Sequence, residues 1–230
     1  TGNFGHYATG VGPVRGQNNV QGTCDMGVLP NVYPGYQKVT DPEVRAKFEK
    51  AWGVPLSPVN GTPLTHVPDK VLRESDPKKQ IHAYYIIGED PAQSDPDLPE
   101  IRETLSKIDF VVIQDIFFNK TSEYADVIFP ATAWGEHEAV YSDCDRRFQR
   151  VHKLVDPDPN VKTDWEILCL VATAMGYPMH YNNTEEIWDE MISLSPKYYG
   201  ATYEKLEANY GIQWPCYTRD PEDKGTKFLH

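Results

Sequence analysis

The fold is decided by the stretch HAYYIIGEDPAQSDPDLPEIRETLSKIDFVVIQDIFFNKTSEYADVIFP, residues 82–130. The apolar runs at 82–87, 109–114 and 126–130 are each short and bounded by polar turns, which is typical of buried strands. The amphipathic segment 98–107 predicts a helix between the first two runs, and a short helical turn is expected near 119–125. Strands and helices in this order, joined by short connections, indicate a parallel α/β sheet.

Helices are also predicted on both sides of this stretch. Asp41 can cap a helix over 41–53, with Pro42 in its first turn and Gly53 at its end. Thr163 and Glu166 form the capping-box pattern T-x-x-E at the start of a second helix. Its buried face is predicted to consist of Leu168, Val171, Ala172 and Met175, and a further helix is expected at about 184–194. Residues 1–40, 54–80, 131–152 and 196–230 show no clear periodicity and are expected to be irregular.

Composition excludes several classes of protein. The chain has 22 Lys and Arg against 34 Asp and Glu, a formal net charge of −12, which disfavours binding to nucleic acid or to an anionic membrane surface. No apolar run approaches the length of a membrane helix, about 18 residues. The four cysteines are far apart, so we expect reduced thiols and no metal or iron–sulfur site built by this chain.

Two strand ends carry acidic loops, Gly88-Glu89-Asp90 and Gln114-Asp115. Parallel sheets bind ligands at the carboxyl ends of their strands, where these loops would lie side by side. A carboxylate accepts the paired N–H groups of guanine or the hydroxyls of ribose, so the loops suggest a nucleotide-like ligand. No P-loop or G-x-G-x-x-G motif is present, and a plain acidic turn is the alternative interpretation.

Arg15 is the second candidate, in the glycine-rich segment PVRGQNN. Its planar guanidinium suits a carboxylate or another planar anion. The alternative is an arginine satisfied by backbone carbonyls or by an acidic neighbour.

Taken together, these motifs resemble the catalytic subunit of molybdopterin-dependent formate dehydrogenases, within the molybdopterin oxidoreductase family that includes dimethyl sulfoxide reductase. The resemblance is greatest to the hydrogenase-linked type and extends over essentially the whole chain. The segment RGQNNVQGTCDMG at 15–27 is the most specific part, whereas the loops at 86–95 and 112–130 are shared with the wider family. Other matching segments are LPNVYPGYQ (29–37), KAWGV (50–54), WGEHEAVYSDCDRRFQR (134–150), KTDWEI (162–167), MGYPMHYNNTEEIWDE (175–190) and YYGATYEKL (198–206).

The resemblance implies a parallel-sheet αβα, Rossmann-like domain that cradles one of two molybdopterin guanine dinucleotides carrying Mo or W. It divides the chain into a glycine-rich active-site and pterin segment (1–40), the α/β dinucleotide-binding domain (41–150), and a helical continuation with an interface tail (151–230). Asp164 would bind the guanine edge, and Gly16 and Gln17 would approach the pterin or its phosphates. The residues implied to line the dinucleotide site after the two strands are Gly88, Asp90, Ser94, Gln114 and Asp115.

The same resemblance implies that Arg15 is the catalytic residue that holds formate through a carboxylate–guanidinium pair and orients it at the metal centre. Two departures from the family pattern limit this transfer. Many members carry G-T-x-T-N where this chain has Ala139, Val140 and Asp143, so no role is transferred to 139–143, and Ser94 replaces a common threonine.

Three features of the family have no counterpart in these 230 residues: the C-x-x-C motif of a 4Fe–4S cluster, the metal-ligating cysteine or selenocysteine with its histidine, and the C-terminal β-barrel domain. We therefore expect a piece of a longer catalytic subunit, inactive by itself, whose missing N-terminal region holds the cluster. The expected partners are the remainder of that subunit, formate and electron-transfer iron–sulfur subunits, in the cytoplasm, or in the periplasm if an export signal lies upstream. The alternatives are another molybdopterin oxidoreductase, such as a nitrate reductase, or a non-catalytic nucleotide-binding module.

Overall fold

The apolar runs of residues 82–130 form the parallel sheet that the sequence predicts. The structure is a computed structural model, and it describes residues 2–7 and 9–227. Residues 1, 8 and 228–230, which fall within the predicted segments 1–40 and 151–230, lie outside the described residues. The α-helices are, in chain order, α1 (Val20–Asp25), α2 (Pro42–Trp52), α3 (Pro91–Ser94), α4 (Leu98–Lys107), α5 (Asp164–Ala174), α6 (Thr184–Leu194) and α7 (Tyr203–Ala208). The strands are β1 (Val32–Tyr33), β2 (Gln37–Lys38), β3 (Ala83–Ile87), β4 (Phe110–Asp115), β5 (Val127–Pro130), β6 (Ala139–Ser142), β7 (Arg147–Val151) and β8 (Ile212–Gln213).

The chain divides into two compact units that interleave along the sequence. The sheet unit comprises residues 62–137 and 153–180, and the hairpin unit comprises the described parts of 1–61, 138–152 and 181–230. Neither unit is one continuous segment of the chain.

The sheet unit contains the parallel sheet β3–β4–β5. Ile87 pairs with Gln114, and Asp115 pairs with Pro130, so the three strands end at the same edge. Because the strands are parallel neighbours, the two acidic loops lie side by side, as the sequence predicts. The core of this unit consists of Ile86, Ala92, Leu105, Ile108, Val111 and Ile113.

The helices of the sheet unit follow local sequence signals. Asp97 caps α4 by accepting the Glu100 N–H, and Thr163 and Glu166 form the predicted capping box of α5. The predicted buried face of α5 is wrong, because Leu168 is 38% exposed and Met175 is 83% exposed, while Ile167 is buried. This helix is apolar on nearly all sides, so hydrophobic periodicity could not select the side that faces the core.

The hairpin unit contains the antiparallel sheet β6–β7–β8 and helices α1, α2, α6 and α7. Phe148 of β7 is fully buried and makes edge-to-face contacts with Trp188 and Tyr198, at 5.0 Å between ring centroids in each case. The predicted helices at 41–53 and 184–194 form as α2 and α6, and Gly53 ends α2 in the left-handed conformation with φ 69°.

Three parts of the hairpin unit differ from the prediction of irregular chain. Residues 131–152 contain β6 and β7, the tail contains α7 and β8, and residues 1–40 contain α1 with the short strands β1 and β2. In the part of the chain that the structure describes, no helix has the length and apolar character needed to cross a membrane.

Candidate functional site

The predicted site residues divide between the two units. Arg15, Gly16 and Gln17 belong to the hairpin unit. The others belong to the sheet unit, where they lie at or after the strand ends or at the start of α5: Gly88, Asp90, Ser94, Gln114, Asp115 and Asp164.

Gly88 leaves open space at the carboxyl edge of the sheet. It follows β3 with φ 64°, its N–H donates to the Gln114 carbonyl oxygen at 2.9 Å, and a Cβ atom built at this position would meet no atom within 4 Å. A positive φ at this point favours glycine, and the absence of a side chain allows a ligand to approach the main chain closely.

Gln114 orients the Asp164 carboxylate from within the core. Its side chain is fully buried, its Oε1 accepts from the Tyr85 hydroxyl at 2.6 Å, and its Nε2 donates to Asp164 Oδ1 at 2.6 Å. The Tyr85 hydroxyl thereby fixes which end of the Gln114 amide faces Asp164. Burial raises the pKa of Tyr85, and the charge of Asp164 adds to the rise, which keeps the phenol a donor at neutral pH.

Asp164 presents an available acceptor in the first turn of α5, where the helix dipole favours a carboxylate. Among residues 2–7 and 9–227, none donates a hydrogen bond to its Oδ2. This oxygen, and the second lone pair of Oδ1, can accept two parallel N–H groups.

Asp90 holds the loop at 120–121 with its carboxylate. It accepts the Thr121 N–H at 2.9 Å, the Thr121 hydroxyl at 2.7 Å and the Lys120 N–H at 3.3 Å. Although burial alone would raise the pKa of Asp90, the hydrogen bonds from Thr121 and Lys120 outweigh it and lower the pKa. This carboxylate is therefore engaged within the protein, and the Ser94 hydroxyl likewise donates to the Asp90 carbonyl oxygen at 3.0 Å.

Asp115 anchors the loop after β4 in a similar way. Its Oδ1 accepts the Ile116 N–H at 2.6 Å, and its Oδ2 accepts from Asn119 Nδ2 at 2.8 Å. The loop that it holds exposes an apolar groove of about 260 Å³ at the same edge of the sheet, with Phe117 75% exposed and Phe118 85% exposed.

The carboxyl edge is strongly acidic. Burial raises the pKa of Glu89, and the neighbouring charges of Asp95 and Asp115 add to the rise. Lys120, at the same edge, already pairs with Glu123 at 3.1 Å. Such an edge suits the N–H groups of a base or the hydroxyls of a sugar better than it suits a phosphate.

Replacing Thr121 by valine should lower the free energy of unfolding by about 1–3 kcal/mol at pH 7, because a buried hydroxyl that bonds to Asp90 and to the Ala92 N–H is lost. The lowered pKa of Asp90 contributes stability that is present above its unfolded pKa and is lost as the pH falls through its folded pKa. The deficit of the variant should therefore shrink below about pH 4.

Urea unfolding at pH 7 and pH 3 measures this difference. Thr173→Val is the matched control, since the Thr173 hydroxyl donates to the Met179 carbonyl oxygen, a group that does not titrate. A deficit of Thr121→Val that stays constant over this pH range would show that Asp90 is not its cause.

Arg15 and Gln17 line one cavity of about 330 Å³ in the hairpin unit. Gly16, between them, is exposed, and a Cβ atom there would meet nothing within 4 Å. Asp143 lines the same cavity, and burial together with its neighbour Asp145 raises its pKa to about 6. In the described part of the chain, the hydrogen-bond partner of the Arg15 guanidinium is Gln21 Oε1 at 3.0 Å, which leaves several N–H groups of the fork for an anion.

A buried polar network beneath Arg15 was not predicted. Gln21 Nε2 donates to Asp25 Oδ1 at 2.8 Å and to the Tyr36 hydroxyl at 3.0 Å. Asp25 Oδ2 accepts from the Ser142 hydroxyl at 2.8 Å and from Trp214 Nε1 at 3.0 Å. The available signal in the sequence was the spacing of Gln21 and Asp25, which places the two side chains one turn apart on a helix.

Among the described residues, the Arg15 guanidinium therefore donates to a neutral side-chain amide. Within residues 2–7 and 9–227, no group of three or more histidine, cysteine, aspartate or glutamate side chains is arranged to hold a metal ion.

Comparison with known proteins decides the family. The family model described as molybdopterin oxidoreductase matches residues 5–174. The chain belongs to the molybdopterin oxidoreductase family. Membership implies a molybdopterin cofactor that carries molybdenum or tungsten.

Relatives within this molybdopterin oxidoreductase family are named as formate dehydrogenases. The chain is 52% identical over 230 residues to formate dehydrogenase H of Escherichia coli, covering 100% of this chain and 32% of that protein. It is 43% identical over 232 residues to the F420-dependent formate dehydrogenase subunit alpha of Methanocaldococcus jannaschii, covering 100% of this chain and 33% of that protein. The chain thus spans about a third of the length of these relatives.

A solved structure shares the fold at low sequence identity. Acetylene hydratase from Pelobacter acetylenicus matches with a TM-score of 0.54 and 18% identity, covering 80% of this chain and 26% of that one. This likeness supports the mixed α/β fold of the chain.

Proposed function

We propose that this chain is part of the catalytic subunit of a formate dehydrogenase, which oxidises formate to CO₂, a proton and two electrons. The full-length relatives in Escherichia coli and Methanocaldococcus jannaschii carry that name, and the whole of this chain aligns with each of them. The molybdopterin cofactor supplies the redox chemistry, while the residues of the chain bind and orient.

In this proposal the sheet unit is the Rossmann-like domain that binds one of two molybdopterin guanine dinucleotides. The observation that carries it is the Asp164 carboxylate, held by the buried Gln114, with Oδ2 available at the edge where the parallel strands end. Asp164 accepts the N1–H and N2–H groups of guanine, and the main chain at Gly88 lies against the ligand.

The remaining predicted residues have narrower roles in the same pocket. The carboxylates of Asp90 and Asp115 and the hydroxyl of Ser94 are engaged within the protein, so we propose that they shape the loops. Any ligand contact at these positions comes from their main-chain groups or from remaining lone pairs. Gln114 acts by orienting Asp164.

In the hairpin unit, Arg15 holds the formate carboxylate through the N–H groups that Gln21 leaves available. Gly16 and Gln17 offer an open main chain and an amide donor for the pterin or its phosphates. A 4Fe–4S cluster in the rest of the subunit and iron–sulfur partner subunits would accept the electrons.

The nucleotide content of the full-length protein tests the dinucleotide proposal. Hydrolysis of the pyrophosphate bond of the bound cofactor should release guanosine monophosphate, identified by chromatography. A protein that contains molybdopterin but releases another nucleotide, or none, would contradict the proposed role of Asp164.

The 230-residue chain alone should show no formate-dependent reduction of a viologen dye, because it corresponds to about a third of its relatives. The full-length protein under the same conditions is the control. Clear activity of the short chain would refute the proposal that it is only part of the catalytic subunit.

A further inference from the structure

Gln21 links Arg15 to the buried polar network of the hairpin unit by hydrogen bonds. It lies in α1, is 5% exposed, and contacts the Arg15 guanidinium through Oε1. An amide has a donor end and an acceptor end, and the acceptor end must face the guanidinium because two N–H groups would repel each other.

Two acceptors fix that orientation. Asp25 Oδ1 and the Tyr36 hydroxyl oxygen accept the two protons of Gln21 Nε2, at 2.8 Å and 3.0 Å. A flipped amide would place its oxygen against the Asp25 carboxylate, so only one orientation satisfies every group.

Asp25 itself is held rigidly. It is fully buried, and its other oxygen accepts from Ser142 and from Trp214, which belong to β6 and to the chain after β8. The orientation of Gln21 is therefore set by packing in the core of the hairpin unit and not by solvent.

We propose that Gln21, locked by Asp25 and Tyr36, is a positioning residue that fixes the Arg15 guanidinium for binding the substrate carboxylate. This inference rests on the proposed role of Arg15 in binding formate. In this proposal Gln21 acts by limiting the rotamers of Arg15, so that less rotational freedom is lost when formate binds.

Formate kinetics of the full-length enzyme test the proposal. Gln21→Met keeps the length of the side chain and removes its hydrogen bonds, and it should raise the KM for formate on the order of tenfold, because the flexible Arg15 side chain must then be ordered when formate binds. The kcat and the metal content should change little. Tyr36→Phe removes one of the two acceptors and should raise the KM by about threefold; it keeps the test available if Gln21→Met does not fold.

The matched control is Gln213→Met. Gln213 Nε2 donates to Asp145 Oδ2 at 2.8 Å, so this change removes a glutamine–aspartate hydrogen bond of the same kind in the same unit without contacting Arg15. Its KM for formate should equal that of the wild type.

A double-mutant cycle separates positioning from a general effect on folding. In an Arg15→Lys background, Gln21→Met should change the KM by less than about twofold, because its effect passes through the guanidinium. The role of Gln21, but not that of Arg15, would be overturned if Gln21→Met changed the KM for formate equally in both backgrounds. It would also be overturned if Gln21→Met left the wild-type KM unchanged while Arg15→Lys was impaired. Unchanged kinetics of Arg15→Lys would overturn the proposed role of Arg15 in holding formate, and the role of Gln21 with it. A metal-loaded wild-type enzyme that does not oxidise formate would instead overturn the proposed function.

Discussion

Replacing Arg15 by lysine in the full-length enzyme should lower kcat/KM for formate on the order of 100-fold. Lysine keeps the positive charge but loses the planar fork that binds a carboxylate with two parallel hydrogen bonds. Lysine also cannot reproduce the hydrogen bond that Arg15 Nη2 donates to Gln21 Oε1, so its ammonium group is not held in one position. The effect should appear in KM, kcat or both, with metal content unchanged.

Arg45→Lys provides the matched control for this change. Arg45 lies in α2 of the same unit and pairs with Glu49 at 3.9 Å, a contact of the kind that contributes little to stability. The control should keep wild-type kinetics. If Arg15→Lys also kept them, Arg15 would have no role in holding formate.

Replacing Asp164 by asparagine should weaken retention of the guanine dinucleotide on the order of 100-fold. The neutral amide has a single acceptor oxygen and cannot form the two charge-assisted hydrogen bonds to the N–H groups of the base. Gln114 remains in place, so the core of the sheet unit should be preserved. The readout is the guanosine monophosphate released per subunit after gel filtration of the full-length protein.

Glu103→Gln is the matched control for Asp164→Asn. Glu103 is exposed on α4 of the sheet unit, and the change removes one negative charge away from the strand ends. It should retain the nucleotide. Full retention in Asp164→Asn would mean that another group binds the base.

The sequence predicts the sheet and its edge because the signals there are local. Apolar runs bounded by turns define β3, β4 and β5, and parallel pairing then places Gly88 beside Gln114. The capping patterns at Asp41 and at Thr163 likewise specify where α2 and α5 begin.

The parts that sequence reasoning missed depend on contacts between distant residues. The hairpin β6–β7 lies in a polar stretch whose buried residue, Phe148, is recognisable only once Trp188 and Tyr198 pack against it. The Tyr85 hydroxyl and the Gln114 amide meet across β3 and β4, so the orientation of Asp164 requires the strand register.

The sequence also does not reveal whether a candidate site side chain is already hydrogen-bonded within the protein. Asp90 and Asp164 are both carboxylates near strand or helix ends, and only the structure shows that Thr121 occupies the first while Oδ2 of the second is available among the described residues. Asp25 has no sequence signal that marks it as functional, and the structure shows it as a buried acceptor for Gln21, Ser142 and Trp214.

Formate-dependent reduction of a viologen dye by the full-length, metal-loaded protein tests the central claim most directly. We expect reduction that requires formate, follows saturation kinetics, and is strongly impaired by Arg15→Lys but not by Arg45→Lys. A metal-loaded protein that does not oxidise formate, and instead oxidises reduced viologen with nitrate, would contradict it and support another molybdopterin oxidoreductase activity.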